Sequence, residues 1–422
     1  MRVVVVGGGI IGLATAFYLN ARGVDVLLVE KEGDVARMTS KGNAGVISPG
    51  CVTPWAAPGM PLKILKYLWK PQSPLIYRPQ FNRQQWKWVR RWLGECAADR
   101  FRVNKQRMQR IAYYSQACLA EFRGTHDVEY SRTQGYLQVF RTRFDLDLAR
   151  PGIGVLEEAG IEHRVLDGGQ CAEVEPALLW SAVEPVAGLY LPNDETGDCA
   201  VFAGQLRTIC EGAGVEFLFD AEVSRLESTA DIVTGVVMRS PDGTSRVLAA
   251  DAVVVAGGVE SGALLSPVGI ELPVYPVKGY SATLPVKDAD KVLRAAVMDE
   301  ALKTGMTRMG RVVRVAGTAE LGDSGRTLRA EATATLIKVI EDWFAEGVDT
   351  RADPRFWVGL RPMTPDGPPV LGATRLRNLF INAGHGSTGW AMAMGSGCAV
   401  ADVVVGREPA IDLAGLTLER YR

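Results

Sequence analysis

A mixed α/β fold of two or three domains, opening on a βαβ unit, is predicted from this sequence, and three observations carry the prediction. The chain has 422 residues, too many for one core at roughly 150 residues per domain. Hydrophobic residues make up 47% and charged residues 23%, an ordinary globular balance that excludes disordered and fibrous classes. An apolar, β-branched run at Val3 to Val6 leads into closely spaced glycines, and no charge follows until Arg22. Charge and cysteine usage narrow the class further. Lys plus Arg is 47 and Asp plus Glu is 48, for a net charge of −1, which argues against nucleic acid as a partner. Seven cysteines without a CxxC or Cys/His cluster, and only three histidines, read as a reduced cytoplasmic chain with no metal site.

The uncharged stretch from Arg2 to Arg22 is long enough to resemble a membrane span, but three consecutive glycines near its start fit a strand, a tight turn and a buried helix better. Val3 to Val6 reads as a buried parallel strand. Gly7, Gly9 and Gly12 then match GxGxxG. The first glycine permits the turn, the second lets backbone approach a pyrophosphate, and the third lets the helix pack on the strand. The helix begins at Ile10 and Ile11, runs to Asn20, and points its N-terminus at the phosphates. Gly23 ends it, Val24 to Val29 is the second strand, and Glu30 stands 18 residues past Gly12 with Lys31 beside it. An acidic residue there accepts hydrogen bonds from a ribose and repels a 2′-phosphate, so the Rossmann-type unit takes FAD or NAD rather than NADP. Thr39, Ser40, Asn43, Ala44, Gly45 and Val46 continue the unit with small residues suited to a close cofactor. The only other dinucleotide-like segment, around Gly257, lacks the full spacing. One dinucleotide is therefore expected, FAD, reduced directly by the substrate.

Three further stretches are legible. Asp251 to Ala256 is the returning strand of the same unit, and Val223 is a candidate neighbour of the adenine. Val274 to Pro285 and Val312 to Gly317 read as strands of a second sheet. Near the C-terminus, Asn378 to Asn382 is a strand, followed by a glycine-rich turn and a helix from about Trp390 to Val405, with Ser387 or Thr388 as its N-cap. Gly384, Gly386, Ser387, Thr388 and Gly389 would place the positive end of that helix beside the anionic edge of a reduced flavin. His385 lines this site or is a structural histidine. Arg361 is the one charge in WVGLRP; it either pairs a carboxylate such as Asp366 or clamps a substrate carboxylate, and spacing alone does not choose.

Residues 59–110 carry thirteen Lys or Arg against Glu95 and Asp99, interleaved with Trp69, Trp86, Trp88 and Trp92. Lys87, Arg90 and Arg91 fall within WKWVRRW. Basic charge with interfacial aromatics fits peripheral contact with an anionic membrane surface; a solvated helical face over core tryptophans is the alternative.

The blocks NAGVISPG (43–50), PWAAPGMPLK (54–63), LPNDETGDC (191–199), VYPVKGYS (274–281), GLRPMTPDGPPVLG (359–372) and NAGHGSTGW (382–390) give the chain a resemblance to the FAD-dependent D-amino-acid oxidase/glycine oxidase superfamily, closest to bacterial D-amino-acid dehydrogenases, over nearly its whole length. The resemblance implies a discontinuous FAD-binding domain (1–50, 140–265 and 357–422) and a substrate-binding domain on a mixed β-sheet (51–139 and 266–356). It implies that Glu30 binds the adenosine ribose and that Arg361 holds the substrate carboxylate, with Tyr275 or Tyr280 adding a hydroxyl. The implied reaction is oxidation of a D-amino acid, with hydride passing from Cα to flavin N5, the imine hydrolysing to a 2-oxo acid and ammonia, and electrons going to a quinone or another non-oxygen acceptor at the inner face of the cell membrane. Departures at Ser387-Thr388, Met394 and Leu302-Lys303 bear on the substrate, so D-proline or cis-4-hydroxy-D-proline stays open. A glycine- or sarcosine-type oxidase and a flavin-carrying subunit of a membrane electron-transfer complex are the other readings.

Overall fold

The valines that open the chain become the centre of a sheet. The computed structural model describes residues 1–67, 73–80 and 82–422. The strand Arg2–Val6 lies parallel between Asp25–Val29 and Ala252–Val255, with Val3 opposite both Val26 and Ala252. Val3, Val4 and Val5 are fully buried, as the middle strand of a sheet covered on both faces requires. Glu216–Leu218 extends this sheet on one side and Leu379–Ala383 on the other; Val370–Ala373 closes it as an antiparallel edge.

One face of the sheet carries the helices Ile10–Ala21, Cys199–Gly212 and Gly389–Val404, whose apolar sides share a core with the sheet. The other face carries a three-stranded antiparallel sheet, Glu222–Thr229, Ile232–Arg239 and Ser245–Ala249. Among the described residues, a ten-stranded mixed sheet forms the rest of the architecture. Arg355–Met363, Tyr275–Pro285 and Val312–Leu321 run side by side in antiparallel register at one end. Thr304–Met309 and Ala296–Asp299 lead on to Thr133–Phe140, Ala187–Thr196 and the short strand Val46–Ile47. The helix Ala330–Phe344 seals one face of it through Leu336, Val339, Ile340 and Trp343.

Two parts of the chain take packing partners that local sequence does not mark. The helix Ala98–Thr125, expected within the substrate domain, presents Met108, Ile111, Ala112, Leu119 and Phe122 to the core of the nucleotide-side unit. The strands Thr133–Phe140, Arg164–Asp167 and Ala187–Thr196, two of them expected within the FAD domain, pair into the large sheet. The physical reason is that sheet membership is decided by which edge is free. Alternating strands after residue 130 fit either sheet, and local sequence carries no mark of the choice.

The basic segment also resolves. Trp88 and Trp92 are buried in an apolar cluster with Tyr275 and Met363, and the Trp88 indole donates to the Met363 carbonyl at 3.0 Å. Lys87 and Arg91 both pair with Glu271, at 2.7 and 3.1 Å. Trp86 and Arg90 are exposed on the same helix, Arg83–Gly94, while Trp69 lies outside the described residues. No helix among the described residues is long and apolar enough to cross a membrane.

Candidate functional site

A cavity of about 910 Å³ runs from the glycine turn to the large sheet and gathers most of the residues singled out above. Its nucleotide end is built by the turn between the first strand and helix. Gly7 has φ of +109°, and a Cβ there would lie 2.7 Å from the Ala256 carbonyl oxygen. The Ile10 amide at the helix start donates to Ser40 Oγ at 3.1 Å. Glu30 accepts from the amides of Gly8 at 2.5 Å and Glu32 at 2.9 Å, while its burial pushes its carboxyl above the usual range. Lys31, paired with Glu260, and Val223 and Gly257 border the same end. Thr39 also lines the cavity, though its hydroxyl donates to the Leu360 carbonyl at 2.7 Å and so ties this loop to the large sheet.

Further in, Asn43 Oδ1 accepts from the Gly45 amide at 2.8 Å and shapes the turn that carries Ala44 and Val46 along the wall. Gly384, Gly386, Ser387, Thr388 and Gly389 line the same cavity. Thr388 occupies the N-cap position of the helix Gly389–Val404, but its side chain makes no capping bond, contrary to the expectation for Ser387 or Thr388. With φ of −111° and ψ of 21°, Thr388 departs from the extended backbone that a capping hydroxyl uses. The positive end of this helix therefore keeps its charge for another partner.

Arg361 has the most telling surroundings. From the strand Arg355–Met363 it reaches across Gly279, where a Cβ would come within 2.6 Å of its Nη2. It donates to the carbonyls of Gly317 at 3.1 Å, Thr318 at 3.4 Å and Lys278 at 3.5 Å. Desolvation lowers its pKa to about 10, which leaves it charged at neutral pH. The carboxylate considered for it, Asp366, is taken by Arg420 at 2.7 Å, both side chains being buried. A partly buried guanidinium held, among the described residues, by carbonyls is an electrostatic request for an anion.

The two tyrosines are placed elsewhere. The Tyr275 ring packs on Trp88 and its hydroxyl meets the Gln85 amide at 3.3 Å, outside the cavity wall. Tyr280 borders the cavity, but its hydroxyl donates to Glu320, within a buried cluster where Glu320 also pairs with Lys278 and Arg329. Replacing Tyr275 by Phe is therefore expected to cost about 1 kcal/mol of stability and to leave KM for the substrate unchanged; thermal melts with steady-state kinetics check this. His385 does line the cavity; burial lowers its pKa to about 3, so it is neutral, and its Nε2 shares a hydrogen bond with Ser396 Oγ at 3.0 Å.

Several wall residues were assigned no role from the sequence. Thr318 Oγ1, Asn382 Oδ1 and Trp390 Nε1 are buried polar atoms without a partner among the described residues, and all three residues line the cavity. Trp55 lies 5.7 Å from the Arg361 guanidinium, in cation–π range. Glu300 accepts from Gln138 and Lys303 at the turn before Thr304–Met309, so of the Leu302-Lys303 pair only Lys303 faces the cavity. Met394 is buried in the nucleotide-side core.

Asp194 is buried beside Ser48 and Gly50, which line the cavity. It accepts from the Ser48 hydroxyl and from the Gly50 amide at 3.3 Å, and burial pushes its pKa up to about 7. Between its ordinary value of 3.8 and about 7 the folded chain holds a proton that the unfolded chain has released, so this group's contribution to stability falls as pH rises through that window and is level above it. Asp194→Asn keeps the two acceptor contacts and removes the titration. The Tm of the variant relative to wild type is expected to be higher at pH 7.5 than at pH 5; a pH-independent gap contradicts the assignment.

Comparison with known proteins agrees in scale and order. The family model described as "FAD dependent oxidoreductase" (DAO) matches residues 2–403. A D-amino acid dehydrogenase of Granulibacter bethesdensis is 43% identical over 422 residues, covering all of both chains. One from Methylobacterium nodulans is 45% identical, covering all of this chain and 99% of its own. Among solved structures, glycine oxidase from Geobacillus kaustophilus superposes with a TM-score of 0.75 at 24% identity, covering 99% of this chain and 98% of its own. L-proline dehydrogenase from P. horikoshii gives 0.73 at 18% identity, covering 100% and 97%; at these identities the likeness is one of fold.

Proposed function

The chain belongs to the DAO family of FAD-dependent oxidoreductases, and from that membership we propose that it dehydrogenates D-amino acids to imino acids, which hydrolyse to 2-oxo acids and ammonia. The observation that carries the substrate class is Arg361, a partly buried cation on the cavity wall with no carboxylate partner among the described residues. A planar guanidinium takes a carboxylate in a bidentate grip and fixes its plane.

The residues present fit FAD. Glu30 would hold the adenosine ribose and the Gly7–Gly9 turn the pyrophosphate; that both line the cavity supports this. The unpartnered Asn382 and Trp390 atoms and the uncapped start of the helix Gly389–Val404 offer polar partners for the isoalloxazine ring. When bound, FAD supplies the chemistry of accepting a hydride at N5. The chain's own task is orientation. Arg361 holds the carboxylate, which with Cα fixes where the hydrogen points. The wall from Gly384 to Gly389 presents helix N–H groups to negative charge arising on the ring. His385, with its pKa near 3, is a neutral wall and a weak base. The substrate amine must therefore lose its proton before the hydride leaves, either to solvent or on binding beside Arg361, where a second positive charge is unfavourable.

The acceptor is a quinone or another non-oxygen oxidant, met at an anionic membrane surface through residues 59–110. The exposed Trp86 and Arg90 support this contact; Lys87 and Arg91, paired with Glu271, are less available for it. Anaerobic mixing of the holoenzyme with a panel of D- and L-amino acids, glycine, sarcosine, D-proline and cis-4-hydroxy-D-proline tests the reading. Bleaching of the flavin by D-amino acids is expected; bleaching by L-amino acids alone overturns it.

A further inference from the structure

The cavity has an arm that neither the nucleotide nor an amino acid held at Arg361 requires. Val46, on the cavity lining, packs on the apolar cluster around Ile153 and Leu189, and the lining continues from there. The arm then passes between the helices Ala98–Thr125 and Arg143–Glu158. Phe101, Ala149, Ile153 and Leu156 form its walls. Against them stands Lys105, which is 3% exposed and whose amine is held by the carbonyls of Val52 at 3.4 Å and Gly50 at 3.5 Å. Both distances are long for a charged donor, so its hydrogen-bonding capacity is underused.

The outer end of the arm lies where the helix Met60–Tyr67 meets Arg143–Glu158. A Cβ on Gly59 would sit 3.9 Å from Leu148 Cδ2, and Lys63 reaches Asp145 at 3.9 Å. On these same two helices Leu62 is 68% exposed, Leu65 56% and Leu148 36%, and Leu148 also lines the cavity. Large apolar side chains grouped in the open mark a site that apolar material visits. A zwitterionic amino acid gains nothing from passing them; an apolar solute arriving from a lipid phase does.

We propose that this arm binds a lipid-soluble quinone, with its tail toward the leucines of the mouth and a carbonyl oxygen on the Lys105 ammonium. The inference rests on the dehydrogenase reading and locates its second substrate. The exchange balances: reduced flavin in its anionic form gives up two electrons and one proton, the quinone takes up two electrons and two protons, and the second proton comes from Lys105, which solvent recharges. Desolvation lowers the Lys105 pKa to about 8, which suits an amine that must both hold and release a proton near neutrality.

Gly152 offers the test. It lies in the helix Arg143–Glu158 on the arm's wall, where a Cβ would meet only the end of the Lys105 side chain, at 3.9 and 4.0 Å. Gly152→Ala fits; Gly152→Phe fills the arm. Holoenzyme is reduced anaerobically with D-alanine and then mixed either with a short-chain benzoquinone or with ferricenium. In Gly152→Phe the quinone step is expected to slow by roughly tenfold or more, with flavin reduction and ferricenium oxidation unchanged and Gly152→Ala close to wild type. Lys105→Met is expected to slow the same step and to remove its pH dependence near pH 8. Saturable quenching of tryptophan fluorescence by the quinone in oxidised holoenzyme, expected from Trp55 and Trp92 on the wall, should be lost in Gly152→Phe. Normal quinone oxidation in both variants overturns the assignment, as does slower reduction by D-alanine with normal quinone oxidation, which makes the arm a side-chain pocket. A wild-type enzyme that no D-amino acid bleaches refutes the dehydrogenase reading instead.

Discussion

Arg361→Ala is expected to raise KM for the amino acid by roughly 10- to 150-fold, the equivalent of about 1.5–3 kcal/mol for a charge-assisted contact. The structure gives the direction firmly. The guanidinium reaches its place because residue 279 is glycine, and three carbonyls orient it without neutralising it. Truncation removes a partly buried cation that has no counter-charge among the described residues, so the folded state loses little and the complex loses much. Thermal stability should hold, since the desolvation that lowers the Arg361 pKa to about 10 is itself a cost of keeping it. Arg361→Lys should recover only part of the affinity, because an ammonium offers a point charge where a fork is needed. Anaerobic titration with D-alanine, followed by flavin absorbance, separates binding from turnover. An unchanged dissociation constant in Arg361→Ala removes the arginine from the carboxylate role, whatever happens to kcat.

Legibility in the sequence followed the range of the interaction. The strand, turn, helix and second strand that open the chain were readable because Val3 to Val6, Gly7, Gly9, Gly12 and Glu30 act on near neighbours, and the structure places those elements within a residue or two. The returning strand Ala252–Val255 was readable for the same reason. The sides taken by residues 98–125 and 133–196 were not, since strand partners and helix faces are chosen by distant chain. The site divided likewise. Arg361 was visible as an isolated charge, but the choice between clamp and structural pair depended on Arg420, 54 residues from Asp366. Tyr275 and Tyr280 were equivalent candidates on paper. Their hydroxyls were claimed by Gln85 and Glu320, contacts that no local pattern announces. Thr318, Asn382 and Trp390 became conspicuous only as buried atoms lacking partners.

The glycine motif yields the other large effect, because structure separates duties that the motif treats alike. A Cβ on Gly12 would overlap the carbonyl oxygen of Gly7 and come within 3.0 Å of its carbonyl carbon. Both groups are backbone, so no rotamer relieves the clash, and the first helix must move off the sheet. Overpacking costs about 1–3 kcal/mol when side chains can yield, and here the upper end or more is expected. A Cβ on Gly9 would meet only Ser40 Oγ, at 3.5 Å, an ordinary contact. The fold thus has no need of glycine at position 9, whereas a pyrophosphate approaching the backbone does. Gly12→Ala is expected to lower the Tm of the apoprotein and to be purified without yellow colour. Gly9→Ala is expected to keep the apoprotein Tm and to lose flavin, measured as the 450 nm absorbance per chain and by FAD titration. Equal destabilisation of the two apoproteins contradicts this division, and full flavin occupancy in Gly9→Ala removes the turn from the phosphate role. A tolerated methyl at 9 with lost flavin identifies the open space beside the turn as the place of the cofactor, because nothing in the protein itself competes for it.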